Sequence, residues 1–187
     1  MNYMSTMKNK WKMPLYALIV ILILSGCSNK EDAISWMFFS ELTNETGVEL
    51  EELVMEHEMD VKEETFNLQF FSPIYERLIG EIAAHNGDII FVEEELLTPA
   101  TFDAEGLQSL DAAVEEGKDI PDKFKLTNLE SGEENVYALP IEKDSILLKN
   151  LDIDINKSIV ALVPIYSDKH NVSIKALADL SQTGLDK

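Results

Sequence analysis

The sequence predicts an α/β domain, a mostly parallel sheet with flanking helices. Three observations predict it. Apolar runs of strand length stand at residues 34–39, 88–93 and 158–166. Segments with helical spacing alternate with them. Between residues 65 and 93 a strand, a helix and a strand follow one another with short connections, the pattern of a βαβ unit whose crossover should be right-handed.

Each element has a local reason. Ile34-Ser35-Trp36-Met37-Phe38-Phe39 is short, apolar and aromatic, which favours a buried strand over a helix. Within residues 49–58, Leu50, Leu53, Val54 and His57 recur at i, i+3, i+4 and i+7, an amphipathic helix. Thr65-Phe66-Asn67-Leu68-Gln69-Phe70 alternates in polarity like a half-buried strand, and Phe71 extends it. Ser72 then suits a helix N-cap and Pro73 a first helical position. Ile74, Leu78, Ile79, Ile82 and Ala83 make one apolar face, and Asn86-Gly87 supplies the stop.

Residues 88–93 follow at once as a strand. Residues 94–117 mix helical and turn signals, and 117–134 read as polar loop. Residues 136–141 and 145–148 are expected as short strands, with Pro140 confining the first to an edge or a strand end. Residues 158–166 read as a buried strand ending near Pro164. A last helix starting around Ser173 should bury Ile174, Leu177 and Ala178.

Ahead of this domain stands an address. Lys8, Lys10 and Lys12 open the chain, with no acidic residue before Glu31. An apolar run over residues 15–24 follows, then Ser25-Gly26-Cys27. That order is a secretory leader, and ten helical residues rise only about 15 Å, half of a hydrocarbon core. Leu24-Ser25-Gly26-Cys27 resembles the lipobox of bacterial lipoproteins. The resemblance implies cleavage between Gly26 and Cys27 and a diacylglycerol on the Cys27 thiol. Two acyl chains are what stable anchoring requires. The alternatives are an ordinary leader with a chance cysteine, or an uncleaved anchor. The expected organisation is a signal peptide at 1–26, a lipidated tether at 27–32 and one α/β domain at 33–182. The expected location is the extracytoplasmic face of the cell membrane.

Composition narrows the function. The chain has 187 residues, 45% hydrophobic, which suffices for a core. Its 15 basic against 35 acidic residues give −20, and cleavage before Cys27 leaves 12 against 35, or −23, on 161 residues. So acidic a chain has no basic stripe for nucleic acid. One cysteine excludes an intramolecular disulfide framework and a cysteine-built zinc site.

The order of segments also resembles the extracellular solute-binding lipoproteins of ABC importers. The residues that carry it are 66–71, the Ser72-Pro73-Ile74-Tyr75-Glu76-Arg77-Leu78 helix start, Gly87-Asp88-Ile89-Ile90-Phe91-Val92, Gly106-Leu107-Gln108-Ser109-Leu110-Asp111 and Tyr137-Ala138-Leu139-Pro140. The resemblance implies one lobe of a periplasmic-binding-protein-like fold and a small solute as ligand. Members usually carry a second lobe between the crossing and returning segments. Here about twenty residues separate Leu139 from Val160, so a second lobe does not fit and closure of two lobes around a solute is lost.

Candidate chemistry is sparse. Glu93-Glu94-Glu95 ends the strand at 88–93, where open α/β sheets bind ligands, and reads either as a solvated acidic turn or as a cation attractor. Asp152, Asp154 and Asn156 start like an EF-hand loop, but Lys157 stands where glycine is needed and Val163 where a glutamate is needed. His57, His85 and His170 lack partners at ligand spacing, so no metal and no cofactor are expected. With no Gly-x-Ser-x-Gly elbow, phosphate loop or dinucleotide fingerprint, no catalytic residue and no enzyme activity are expected. Trp36, Phe71 and Tyr166 suit a core or a groove. Ser72, Tyr75 and Glu93 are the better groove candidates, because they fall at strand ends. The expected partners are the membrane through Cys27, and a small solute or a basic-faced membrane protein. The expected function is a non-catalytic binding or accessory module, with a structural envelope lipoprotein as the alternative.

Overall fold

Six consecutive residues, Ile34–Phe39, build the central strand β1, and all of its apolar side chains are buried. After it come α1 (Asn44–Glu56), β2 (Phe66–Phe71), α2 (Tyr75–Ala83) and β3 (Ile89–Glu93). Three 3-10 turns follow, at Glu94–Leu96, Asp111–Ala113 and Asp122–Phe124. The chain then forms β4 (Lys125–Thr127), β5 (Glu134–Val136), β6 (Leu139–Ile141), β7 (Ile159–Leu162) and α3 (His170–Leu180). The structure, a computed structural model, describes residues 33–42, 44–56, 66–149 and 157–183, which belong to one compact unit. The expected leader and tether at 1–32 with Gly26 and Cys27, and also His57, Asp152, Asp154 and Asn156, lie outside the described residues.

The main sheet runs β2-β1-β3-β7-β6. β1 lies parallel to both β2 and β3, so Trp36 pairs with Leu68 on one side and Ile89 on the other. Neighbours on both edges and cover on both faces explain why β1 reads as an unbroken apolar run. The expectation of a mostly parallel sheet is overturned. β7 is antiparallel to β3, β6 is antiparallel to β7, and β4 with β5 forms a separate antiparallel hairpin. The sheet is therefore mixed, with three helices described. The physical reason is plain: an apolar run shows that a strand is buried on both faces, but it carries no direction. Direction follows from where the chain re-enters, and it re-enters β7 beside the end of β3, with Glu93 opposite Ile159.

Local details depart from expectation in instructive ways. Ser72 does not cap α2; its carbonyl accepts the Ile74 N–H at 2.7 Å, and the helix proper starts at Tyr75. The stop at Asn86-Gly87 holds. His85 takes a φ of 56°, and Gly87 a φ of 84°. A Cβ at Gly87 would lie 2.7 Å from the Met37 sulfur, so only glycine lets this turn approach β1. The segment 145–148, expected as a strand, is a buried turn under the end of α3, tied by Leu147 N–H to the Leu180 carbonyl at 3.0 Å. Pro140 does sit on an outer strand, opposite Val160.

Aromatic stacking fixes the sheet's centre. The Phe38 ring lies between Phe91 at 4.4 Å and Phe70 at 5.0 Å, and Phe39 stacks on Phe71 at 5.0 Å. Trp36 is core, while Phe71 is only half-buried. At the amino end of β3, Asp88 accepts from the Ser35 N–H at 2.8 Å and from the Ser167 hydroxyl at 2.6 Å. Tyr166 belongs to this clamp, donating to the Asn86 carbonyl at 2.7 Å and stacking on His85. It is not a residue of a groove at the strands' carboxyl ends. Burial, with Asp88 and Glu81 nearby, pushes its hydroxyl well above the usual tyrosine range.

Candidate functional site

Three cavities open along one edge of the sheet, where β1, β2, β3 and β6 end and β7 begins. The first, about 460 Å³, is lined by Ser40, Glu41 and Leu42 after β1, and by Phe71, Ser72 and Pro73 at the end of β2. The second, about 280 Å³, lies among Glu93, Glu94, Glu95, Lys157 and Ser158. The third, about 520 Å³, has a floor of Phe124, Ile141, Leu148 and Ile159, and its charged lining includes Lys123, Lys143 and Lys157. In parallel strands the chain turns away in loops at the carboxyl ends, which leaves a crevice there.

The sequence candidates reach this edge with different roles. Ser72 lines the first cavity and is exposed. Tyr75, at the start of α2, accepts a hydrogen bond from the Thr98 hydroxyl at 3.3 Å and is 36% exposed. Glu93 is not an open ligand group. It is 1% exposed, and its carboxylate takes the Lys157 ammonium at 2.8 Å. The same ammonium reaches Glu95 at 2.5 Å, and Lys123 pairs with Glu94. The three glutamates are thus neither a bare acidic turn nor a cation trap; they hold two lysines at the cavity mouth.

The electrostatics follow from this arrangement. The hydrogen bond from Lys157, and then its charge, holds the Glu95 carboxyl below the usual carboxylate range. Hydrogen bonds to Glu93 and Glu95 push the Lys157 ammonium above the usual lysine range. Two of its three protons are engaged, which leaves one donor. Lys123, Lys143 and Lys157 are what the sequence reasoning missed. The available signal was their scarcity, as three of twelve lysines and arginines after residue 26 line one cavity. Among the described residues, no group of three or more His, Cys, Asp or Glu side chains could hold a metal ion.

The stretch Leu24-Ser25-Gly26-Cys27, with its resemblance to a lipobox, points to the bacterial lipoproteins, a membrane-anchored class. Comparison with known proteins supports that class. The chain is 27% identical over 176 residues to a protein of Bacillus subtilis (strain 168) named "Putative lipoprotein YteS", covering 94% of this chain and 99% of that protein. A match of 176 residues exceeds the 161 that follow Gly26, so it reaches into the leader. No family model matches the chain. No solved structure matches it. The resemblance to solute-binding proteins therefore gains no support from the comparisons.

Proposed function

We propose that this chain is an extracytoplasmic, lipid-anchored binding module without catalytic activity, which takes a small solute at the carboxyl edge of its sheet. The observation that carries the reading is the alignment of three cavities along that single edge, with lysines held by glutamates at the mouth of the largest. A packed, apolar floor with a few oriented polar groups is the usual make-up of a small-molecule site. No nucleophile–base pair figures in this reading, and so no reaction is assigned.

A thermal-shift screen of residues 28–187 against amino acids, sugars and organic acids tests it. A ligand present at about 100 times its Kd stabilises the folded state by about 2.7 kcal/mol, which moves the melting temperature by roughly 5–10 °C. Lys143→Ala, at an exposed position of the cavity wall, should abolish that shift while leaving the unliganded melting temperature unchanged. A screen without hits overturns the small-solute reading. It would favour instead an interaction lipoprotein, for which Ile74, 53% exposed next to Pro73 of the first cavity, offers an apolar contact.

A further inference from the structure

We propose that β2 is the pairing edge for a second copy of this chain, the two β2 strands running antiparallel about a two-fold axis at Leu68. The sheet has two outer strands, β6 and β2, and only one of them is blunted. β6 has three residues and includes Pro140, which has no N–H to offer a partner. β2 has six, Phe66-Asn67-Leu68-Gln69-Phe70-Phe71, with no charge, no proline and no glycine. Charged residues make up 27% of this chain, so an uncharged outer strand of that length is the kind of edge that sheets avoid unless something covers it. Among the described residues no strand lies beyond β2. Phe66, Leu68 and Phe70 pack on the core but stay half-buried, while Asn67 is exposed.

The order of side chains selects the occupant. Residues 66–70 read aromatic, amide, aliphatic, amide, aromatic, a palindrome in chemistry about Leu68. Antiparallel pairing about that point sets Phe66 against Phe70 of the second copy, Asn67 against Gln69, and Leu68 against Leu68. Apolar side chains then meet on one face and amides on the other, which is the cross-strand matching that stabilises a sheet. A two-fold interface requires such self-complementarity, whereas an unlike strand does not. No charge meets a like charge at the seam, although each chain cleaved before Cys27 would carry −23. One strand pair is small beside the ~1,200–2,000 Å² of a standard interface, so the pair forms where lipid tethering concentrates the chain.

Cysteine scanning of the full chain in membranes tests both partner and register. Residues directly opposite have Cβ atoms about 4.5–5.5 Å apart, and diagonal ones about 7–8 Å. Under a mild oxidant, Leu68→Cys should give a disulfide-linked species of twice the chain's mass. Asn67→Cys or Gln69→Cys alone should give only the background of the wild type, whose single cysteine is Cys27, and the two co-expressed should cross-link to each other. Equal cross-linking at all three positions, a product with a protein of another mass, or no product from Leu68→Cys would each overturn the proposal. Because Leu68 is half-buried, a second measurement leaves it intact. Energy transfer between fluorescently labelled copies in the membrane should fall several-fold in Asn67→Glu, with the melting temperature unchanged. Equal transfer in wild type and variant would also overturn it.

Discussion

Lys157 shows how one residue organises a site that its neighbours in sequence only hint at. It joins the buried Glu93 to the exposed Glu95 across a separation of more than sixty residues. Lys157→Met leaves the Glu93 carboxylate buried without its cation, and an uncompensated buried charge costs stability. The variant should therefore melt lower at pH 7 and be rescued by Glu93→Gln in the same chain. Urea titrations of wild type, single and double variant at pH 7 check this. Stability from the depressed Glu95 is present above the ordinary glutamate value near ~4.3 and is lost as pH falls through its folded value. Stability from the raised Lys157 is present below ~10.4 and is lost only as pH rises beyond that. The cluster should thus hold from about pH 5 to about pH 10. Cys27 is the other decisive residue. Mass spectrometry of the membrane fraction should find a chain beginning at acylated Cys27, and Cys27→Ala should remove it from that fraction. An unmodified Met1 start would refute the lipobox reading. Glu93 was legible as a strand-end carboxylate, but its partner was not, because no local pattern links residue 93 to residue 157.

At the scale of elements, legibility tracked local periodicity. β1, β2 and β3 and the two helices beside them were readable because alternation, apolar runs and the Asn86-Gly87 stop act within a few residues. The hairpin of β4 and β5 was not, since its three-residue strands are polar, and their pairing of Leu126 with Asn135 is set by the fold around them. Residues 145–148 misled because an apolar run signals burial, and a buried turn beneath α3 satisfies that signal as well as a strand does. The central strands carry the sharpest stability test. Ile90 sits in β3 between Met37 and Leu162 and is 1% exposed. Ile90→Asp should cost about 4 kcal/mol, because an unpaired carboxylate would stand inside the sheet. Chemical denaturation measures the loss, and a variant as stable as wild type would refute this core.

For the whole molecule, charge is the dominant fact. After Gly26 the chain carries 12 basic and 35 acidic residues, so local pairs such as Arg77 with Glu81 or Lys125 with Asp122 cannot neutralise it. Repulsion works against the folded state, and salt screens it. The melting temperature of residues 28–187 should rise between about 10 and 300 mM salt, where the Debye length shrinks from roughly 30 to 6 Å. A flat or falling curve would mean that the acids are already compensated. The sequence by itself determined the acidic balance, the runs that become β1 and β3, and the glycine that ends the turn into β3. Each is a property of composition or of a few neighbouring residues. Only the tertiary structure decided that β7 runs against β3, that Lys157 locks Glu93, and that three cavities share one edge. Those depend on where distant segments re-enter the sheet, and strand direction and long-range pairing leave no trace in local periodicity.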